Sequence, residues 1–208
     1  MGHSKASKAS THARLVATAA SRFKERGVDG ISLADLMKDL KLTHGGFYKH
    51  FGSRDELVTE ALELALTQSG QAMRERLFDG DSADIAGFVD FYLDEAHRDQ
   101  RAGGCAVAAL AGDAARKSTD VQAQFREQIE RNLETLSEAL GSRSAGESRA
   151  KAVLVLSALY GALIMARAVG DSPLSREVLG TVRKRVLNVG GSASGSASGK
   201  KPRTRSRG

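Results

Sequence analysis

Apolar residues recur every three or four positions along most of this chain, a period that predicts helices nearly end to end. Leu15, Val16, Ala19, Ala20 and Phe23 share one stripe, and Gly27 is suited to the left-handed residue that stops such a helix. Leu33, Leu36, Met37 and Leu40 form a second, short stripe opened by Ser32-Leu33-Ala34-Asp35, an acidic variant of the N-terminal capping pattern. A full capping box, Ser53-Arg54-Asp55-Glu56, opens a long helix running to about Leu77, where Asp79-Gly80-Asp81 turns the chain. Further helices are expected over 83–98 (Ile85, Phe88, Val89, Tyr92, Leu93), after Gly103-Gly104 (Val107, Leu110, Ala111) and over 120–140 (Phe125, Ile129, Leu133, Leu136, Leu140). The last two span about 146–169 and 174–188, with Pro173 placed to start the final one.

Between the capped segments lies Thr43-His44-Gly45-Gly46-Phe47-Tyr48-Lys49-His50-Phe51, too short to stand as a helix alone. It needs support from neighbours, and Phe47 and Phe51, four apart, supply the inward face. His44, Tyr48, Lys49 and His50 are left for an outward face of donors and cations, with Thr43 expected to cap the helix through its hydroxyl. A supported short helix of this kind is how a helix-turn-helix meets the DNA major groove.

Residues 10–60 resemble the N-terminal domain of the TetR family of transcriptional regulators. The spacing from Phe23 through Ile31, Leu36 and Leu42 to Phe47-Tyr48-Lys49-His50-Phe51 and Ser53-Arg54-Asp55-Glu56-Leu57 follows the family pattern without a gap. One departure is Lys41, where many members carry glycine in the turn. The resemblance implies an all-α protein of about nine helices. A flexible basic arm (1–9) would precede a three-helix DNA-binding domain (10–56). A helical ligand-binding and dimerisation domain (57–189) and a disordered tail (190–208) would follow. It further implies that Ser32, Thr43, His44, Gly45, Gly46, Tyr48, Lys49, His50 and Arg54 form the DNA-binding set, with Thr43 and Arg54 bracing either side. The expected partners are a palindromic double-stranded operator, a second copy of the chain and a small-molecule inducer, with no cofactor.

Charge fits that division. Residues 1–56 hold ten Lys/Arg against six Asp/Glu, residues 57–199 hold 16 against 19, and residues 200–208 add five cations. Basic ends around an acidic middle suit ends that face phosphates. A 41% hydrophobic content supports a sizeable core. The longest apolar stretch, 152–166, falls short of the ~20 residues of a membrane span. A single cysteine excludes an internal disulfide framework. With no sustained apolar segment at the N-terminus, a cytoplasmic protein is expected.

In the C-terminal half, Ala158, Ala162 and Ala166 beside Gly161 form a small-residue ridge, flanked by Leu156, Leu159, Tyr160 and Leu163. With Val178 and Val182 of the final helix, this ridge is the expected dimer face, since family members pair through two helices. Met73, Phe88, Phe91, Tyr92, Leu110, Phe125 and Met165 are candidates to line an inducer site, with core packing the other role open to each. Cys105, after Gly103-Gly104 at a helix start, resembles the Gly-Cys of a redox- or electrophile-responsive subgroup; it is either a sensor thiol or a small buried hydrophobe. The basic tail Lys200-Lys201-Pro202-Arg203-Thr204-Arg205-Ser206-Arg207 either adds phosphate contacts or only solubilises. No catalytic constellation or phosphate loop is visible, and a metal site on His97 with Asp94 or Asp90 is outweighed by chance placement on a helix. An architectural DNA-binding protein without sequence choice, or a small helical enzyme, are the readings that compete with a regulator.

Overall fold

A computed structural model describes residues 5–141 and 144–190. Ten helices follow in order: α1 (Lys5–Arg26), α2 (Leu33–Asp39), α3 (His44–Phe47), α4 (Arg54–Leu77), α5 (Ile85–Tyr92), α6 (Glu95–Asp99), α7 (Ala106–Ala114), α8 (Thr119–Leu140), α9 (Ala145–Ala168) and α10 (Pro173–Gly190). One departure from all-helix is a two-residue antiparallel ribbon, β1 (Phe78–Asp79) with β2 (Ser82–Ala83), which makes the expected turn around Gly80. The helix expected over 83–98 is two helices. Leu93 ends α5, and the Asp94 carboxylate accepts the Ala96 N–H to start α6 at a new angle. Residues 5–9, expected as an arm, belong to α1; the rest of that arm and residues 191–208 of the tail lie outside the described residues.

Local signals set the boundaries. Gly27, at φ 80°, closes α1, and the Ser53 hydroxyl accepts the Glu56 N–H to open α4. The reciprocal bond of this capping box runs one residue early, from the Gly52 N–H to the Glu56 carboxylate. The end of α2 is a Schellman motif: the Leu42 N–H reaches the Met37 carbonyl at 2.9 Å and the Lys41 N–H reaches Lys38 at 3.0 Å. That motif needs a left-handed residue, and Lys41 supplies it at φ 56°, the position where glycine is common in the resembling family. Thr43 flanks α3 but makes no side-chain cap, so the expected hydroxyl bond is not formed. Support comes instead from Phe47 and Phe51, both buried and stacked at 5.3 Å.

The layers follow from burial. α4 packs on α1 and α8; α8 packs on α9, and α10 packs on α9 and α5. At the α4–α8 crossing a Cβ on Gly70 would lie 2.1 Å from Gln128 Nε2, so a side chain there would displace that buried amide. The buried amide of Gln128 donates to Asn132, whose amide donates to the Tyr160 hydroxyl, each at 2.8 Å. This thread satisfies polar groups that would each cost roughly 1–3 kcal/mol if left alone. By length and composition α9 is the one helix among the described residues that could cross a membrane; here it packs between α8 and α10.

The left-handed lysine yields a direct check. Lys41→Gly removes a Cβ from αL backbone but frees the unfolded chain, so a net gain of no more than about 1 kcal/mol is expected. Urea denaturation of both proteins measures it, and a loss of stability would contradict the Schellman geometry.

Candidate DNA interface and ligand cavity

The reading head is built on aromatic packing. Phe23, Phe47 and Phe51 are buried, and the His12 ring stacks on Phe51 at 4.4 Å while its Nε2 meets Glu60 at 2.7 Å. With that side occupied, Thr43, His44, Gly45, Tyr48 and Lys49 face solvent. Tyr48 is 61% exposed, an unusual position for an aromatic ring, and the edge of His44 meets it at 5.9 Å. A Cβ on Gly45 would meet nothing within 4 Å, so nothing in the chain itself asks for glycine there.

Three expected members of the set are placed differently. His50 is half-buried; burial, then His12, Lys8 and Lys49, hold its imidazole below the ordinary value, and its Nδ1 is sealed without a partner. The Ser32 hydroxyl is spent on Asp35, accepting its N–H and donating to its carboxylate at 2.6 Å. Arg54 points inward, donating to the Val28 carbonyl at 2.6 Å and the Ile31 carbonyl at 3.2 Å. It therefore ties the start of α4 to the α1–α2 turn, a brace within the domain.

A cavity of about 390 Å³ lies where α1 meets the larger domain. Ala17, Ser21 and Lys24, on one face of α1, form part of its wall, opposite residues of α4, α5 and the Ala102–Cys105 loop. Its volume falls in the range of small-molecule sites. Of the expected lining residues, Met73, Phe88, Phe91 and Tyr92 contribute. Leu110 and Phe125 instead fill the core, and Met165 is 56% exposed on the outside of α9. The expectation fails for these three because apolar spacing does not fix how each helix is rotated about its axis. Lys24, Arg76, His97, Asn132 and Tyr160 line the cavity without having been expected. One signal was legible for Lys24. It falls on the Val16–Ala20 stripe of buried positions, where a lysine has no ordinary place.

Cys105 stands at the mouth of α7. Its Sγ accepts the Ala108 N–H at 3.5 Å, and the side chain lines the cavity while being nearly buried. The preceding glycine is required, because a Cβ on Gly104 would lie 2.7 Å from Arg167 Nη2 and 3.0 Å from the Gln100 carbonyl. The Cys105 N–H donates to His97 Nε2 at 3.3 Å, and His97 Nδ1 meets the Tyr92 carbonyl at 2.8 Å. Both ring nitrogens are thus engaged, and only the neutral Nδ1–H tautomer satisfies both bonds. The metal grouping does not converge either: Asp90 pairs with Arg183 at 2.6 Å, and Asp94 caps α6. Among the described residues no three His, Cys, Asp or Glu side chains gather around a common point.

The residues of the expected dimer ridge divide in two. Leu156, Leu159, Ala162 and Leu163 are buried within the chain, against its own neighbouring helices. Ala158, Gly161, Val178 and Val182 are half-buried. Because α9 is apolar on nearly all sides, spacing alone does not distinguish its inner from its outer face. The outer face carries Val153, Leu154, Ile164 and Met165, each more than two-fifths exposed.

Two family profiles match this layout. Residues 15–61 match the bacterial regulatory proteins of the tetR family, and residues 82–178 match the LmrA/YxaF-like transcriptional regulator C-terminal domain. The chain belongs to the TetR family. It is a DNA-binding transcriptional regulator and not an enzyme. Solved TetR-type structures share the fold at low identity. The reduced form of Escherichia coli NemR has a TM-score of 0.70 and 22% identity over 86% of this chain and 96% of that one. A TetR regulator from Chloroflexus aurantiacus has a TM-score of 0.72 and 21% identity over 87% and 94%. One from Cytophaga hutchinsonii has a TM-score of 0.72 and 17% identity over 90% and 98%. Among curated protein sequences, none matches significantly.

His97 carries a pH signature. Its imidazole is held below the ordinary value of 6.5, first by burial and then by Arg167 and Arg76, against the Tyr92 carbonyl and Asp94. The unfolded chain therefore takes up a proton near pH 6.5 that the folded chain refuses. Stability should fall as pH drops below about 6.5 toward the lower folded value, and be fully present above it. His97→Gln should lack that component. Urea unfolding of both proteins between about pH 5 and 7.5 checks this, and identical pH dependence would contradict the neutral, doubly bonded imidazole.

Proposed function

We propose that this regulator is a homodimeric repressor that binds a palindromic operator and leaves it when a small-molecule inducer fills the cavity. The observation that carries the reading is α1. This one helix packs against the reading head with one face and walls the cavity with another, so a ligand there touches the element that positions the head. A ligand shifts an equilibrium only by its differential affinity for the two states, and a cavity on the joint between the domains is where that difference arises.

At the DNA, Tyr48 and Lys49 contact the phosphate backbone, with Thr43 and His50 beside them; His44, Gly45 and Gly46 lie nearest the base edges. Ser32 and Arg54 act through their own domain, holding the ends of α2 and α4. A single helix-turn-helix gives weak binding, and pairing over a two-fold site is the usual remedy. The partner copy is assigned to the outer face of α9, where Val153, Leu154, Ile164 and Met165 are open, with the neighbouring turn of α10 at Leu174. An exposed apolar face of this extent favours pairing. The setting is the cytoplasm.

A second reading of the signal rests on Cys105, whose sulfur lines the same cavity. In it a covalent adduct or oxidation at the thiol takes the place of the noncovalent inducer.

One set of titrations tests the reading. Lys49→Ala should weaken binding to every DNA sequence and lower the salt slope by about 1, and Tyr48→Ala should weaken it likewise. Leu154→Glu, exposed in the single chain, should keep the helical content but yield monomers in sedimentation, with DNA affinity lost. Full operator binding by a Tyr48→Ala, Lys49→Ala double variant would overturn the DNA assignment. An intact Leu154→Glu dimer would move the interface off α9. Release of DNA by alkylation in the wild type but not in Cys105→Ser would favour the thiol reading.

A further inference from the structure

The wall of the cavity is charged in one sense only. Lys24 and Arg76 line it, and among the described residues no aspartate or glutamate does. Lys24 is only 9% exposed, yet among the described residues no carboxylate lies within ion-pair distance of it. Burial, with Arg167 adding to it and Cys105 opposing, holds its ammonium below the ordinary lysine value. Arg76, exposed at the cavity rim, places its guanidinium over the Phe91 ring at 3.6 Å and pairs with no acid among the described residues. The third group is Tyr92, 5% exposed, whose buried hydroxyl meets no nitrogen or oxygen partner and has only the weakly accepting Cys105 sulfur beside it. Behind that wall the Arg167 Nη1 is also buried and unpartnered, while its other nitrogens hold the His97 and Arg98 carbonyls.

Buried cations and hydroxyls are normally paired, because each loses its hydration without compensation otherwise. Here the buried Lys24 ammonium and the buried Tyr92 hydroxyl face one cavity without an oxygen acceptor, with Arg76 at the rim and Arg167 behind, and that arrangement describes the missing partner. It is an acceptor and it is negative. A cation would be repelled by Lys24, Arg76 and Arg167, and a neutral ligand would leave the ammonium unpaired. An inorganic anion is too small for a cavity of about 390 Å³ whose remaining wall includes Met73, Phe88 and Phe91.

We propose that the cavity binds a small organic acid, its carboxylate held by Lys24 and the Tyr92 hydroxyl and its aromatic or aliphatic body lying against Phe88, Phe91 and Met73. This rests on the reading of the cavity as the effector site and names the chemistry of the effector. Lys24 is on α1, Arg76 on α4 and Tyr92 on α5, so the acid bonds the helix that carries the reading head to the helices behind it.

Calorimetry on the full chain with benzoate and naphthoate, each against its primary amide, tests the proposal. An acid of this set should bind, and its amide should bind at least about tenfold more weakly, since shape is nearly unchanged and only the charge is gone. Lys24→Met should lose about tenfold or more in affinity for the acid, while Lys24→Arg stays within a few-fold. Ligand-free Lys24→Met should melt at or above the wild-type temperature, because an unpaired buried charge has been removed, so its lost binding is not lost folding. Equal affinity for acid and amide, unchanged affinity in Lys24→Met, or no binding of either acid to the wild type would overturn the proposal. None of these measurements contains DNA. An acid that binds as described but leaves operator affinity unchanged sinks the effector reading and keeps the site; release by a neutral compound, indifferent to Lys24→Met, does the reverse.

Discussion

Helix α1 has to satisfy two cores at once, and the rest of the structure is arranged around that constraint. Leu15, Val16, Ala19, Ala20 and Phe23 are buried, while Ala17, Ser21 and Lys24 form the adjacent face toward the cavity. Just past its C-terminus the Val28 N–H donates to Asp113 at 3.2 Å, and Asp29 meets Lys117 at 2.9 Å. Magnitude decides which of these links matters. The Asp29–Lys117 pair is open to solvent on the Asp29 side, where screening leaves an ion pair little net worth. Burying one side chain such as Phe23 or Leu15 contributes about 1.5–3 kcal/mol. Apolar packing therefore holds α1, and the polar contacts fix its angle and register. In the proposed mechanism it is through this helix that a change of packing along the cavity face reaches the head.

The head itself departs little from what its residues dictate. Caps at Ser32 and Ser53, the glycine stop at Gly27 and the inward pair Phe47–Phe51 are local features, and local features are legible in a sequence. The lysine in the turn after α2 stands out in the sequence only as a departure from glycine; its left-handed backbone, with the Schellman bonds around it, is a finding of the structure. Thr43 shows the limit. A capping residue type in the right place forms no bond when packing, not capping, holds the helix.

The larger domain was legible in its helices but not in their faces. Apolar spacing located α8, α9 and α10 within a residue or two, yet it did not say which side of α9 turns inward, because that helix is apolar on nearly every side. Leu156 and Leu163 consequently belong to the core, and Leu154 and Ile164 to the outside. The same indeterminacy separates Phe88 and Phe91, which reach the cavity, from Phe125, which does not. The break between α5 and α6 was missed because the Leu93-Asp94 junction continues the apolar pattern while the carboxylate caps a new helix. The cationic wall is a tertiary property. Lys24, Arg76 and Arg167 are far apart in the chain and lie around one site only after folding, and Lys24 alone announced itself, as a charge on a buried stripe.

The central claim is that two reading heads, fixed by this packing, recognise a symmetric DNA site. Sequencing the DNA that the full-length protein retains from a random pool at moderate salt addresses it most directly. The account predicts enrichment of an inverted repeat whose half-sites are centred about one helical turn, ~10 base pairs, or a multiple of it apart. Retention of DNA with no enriched sequence, or of a single half-site without a symmetric partner, would contradict it.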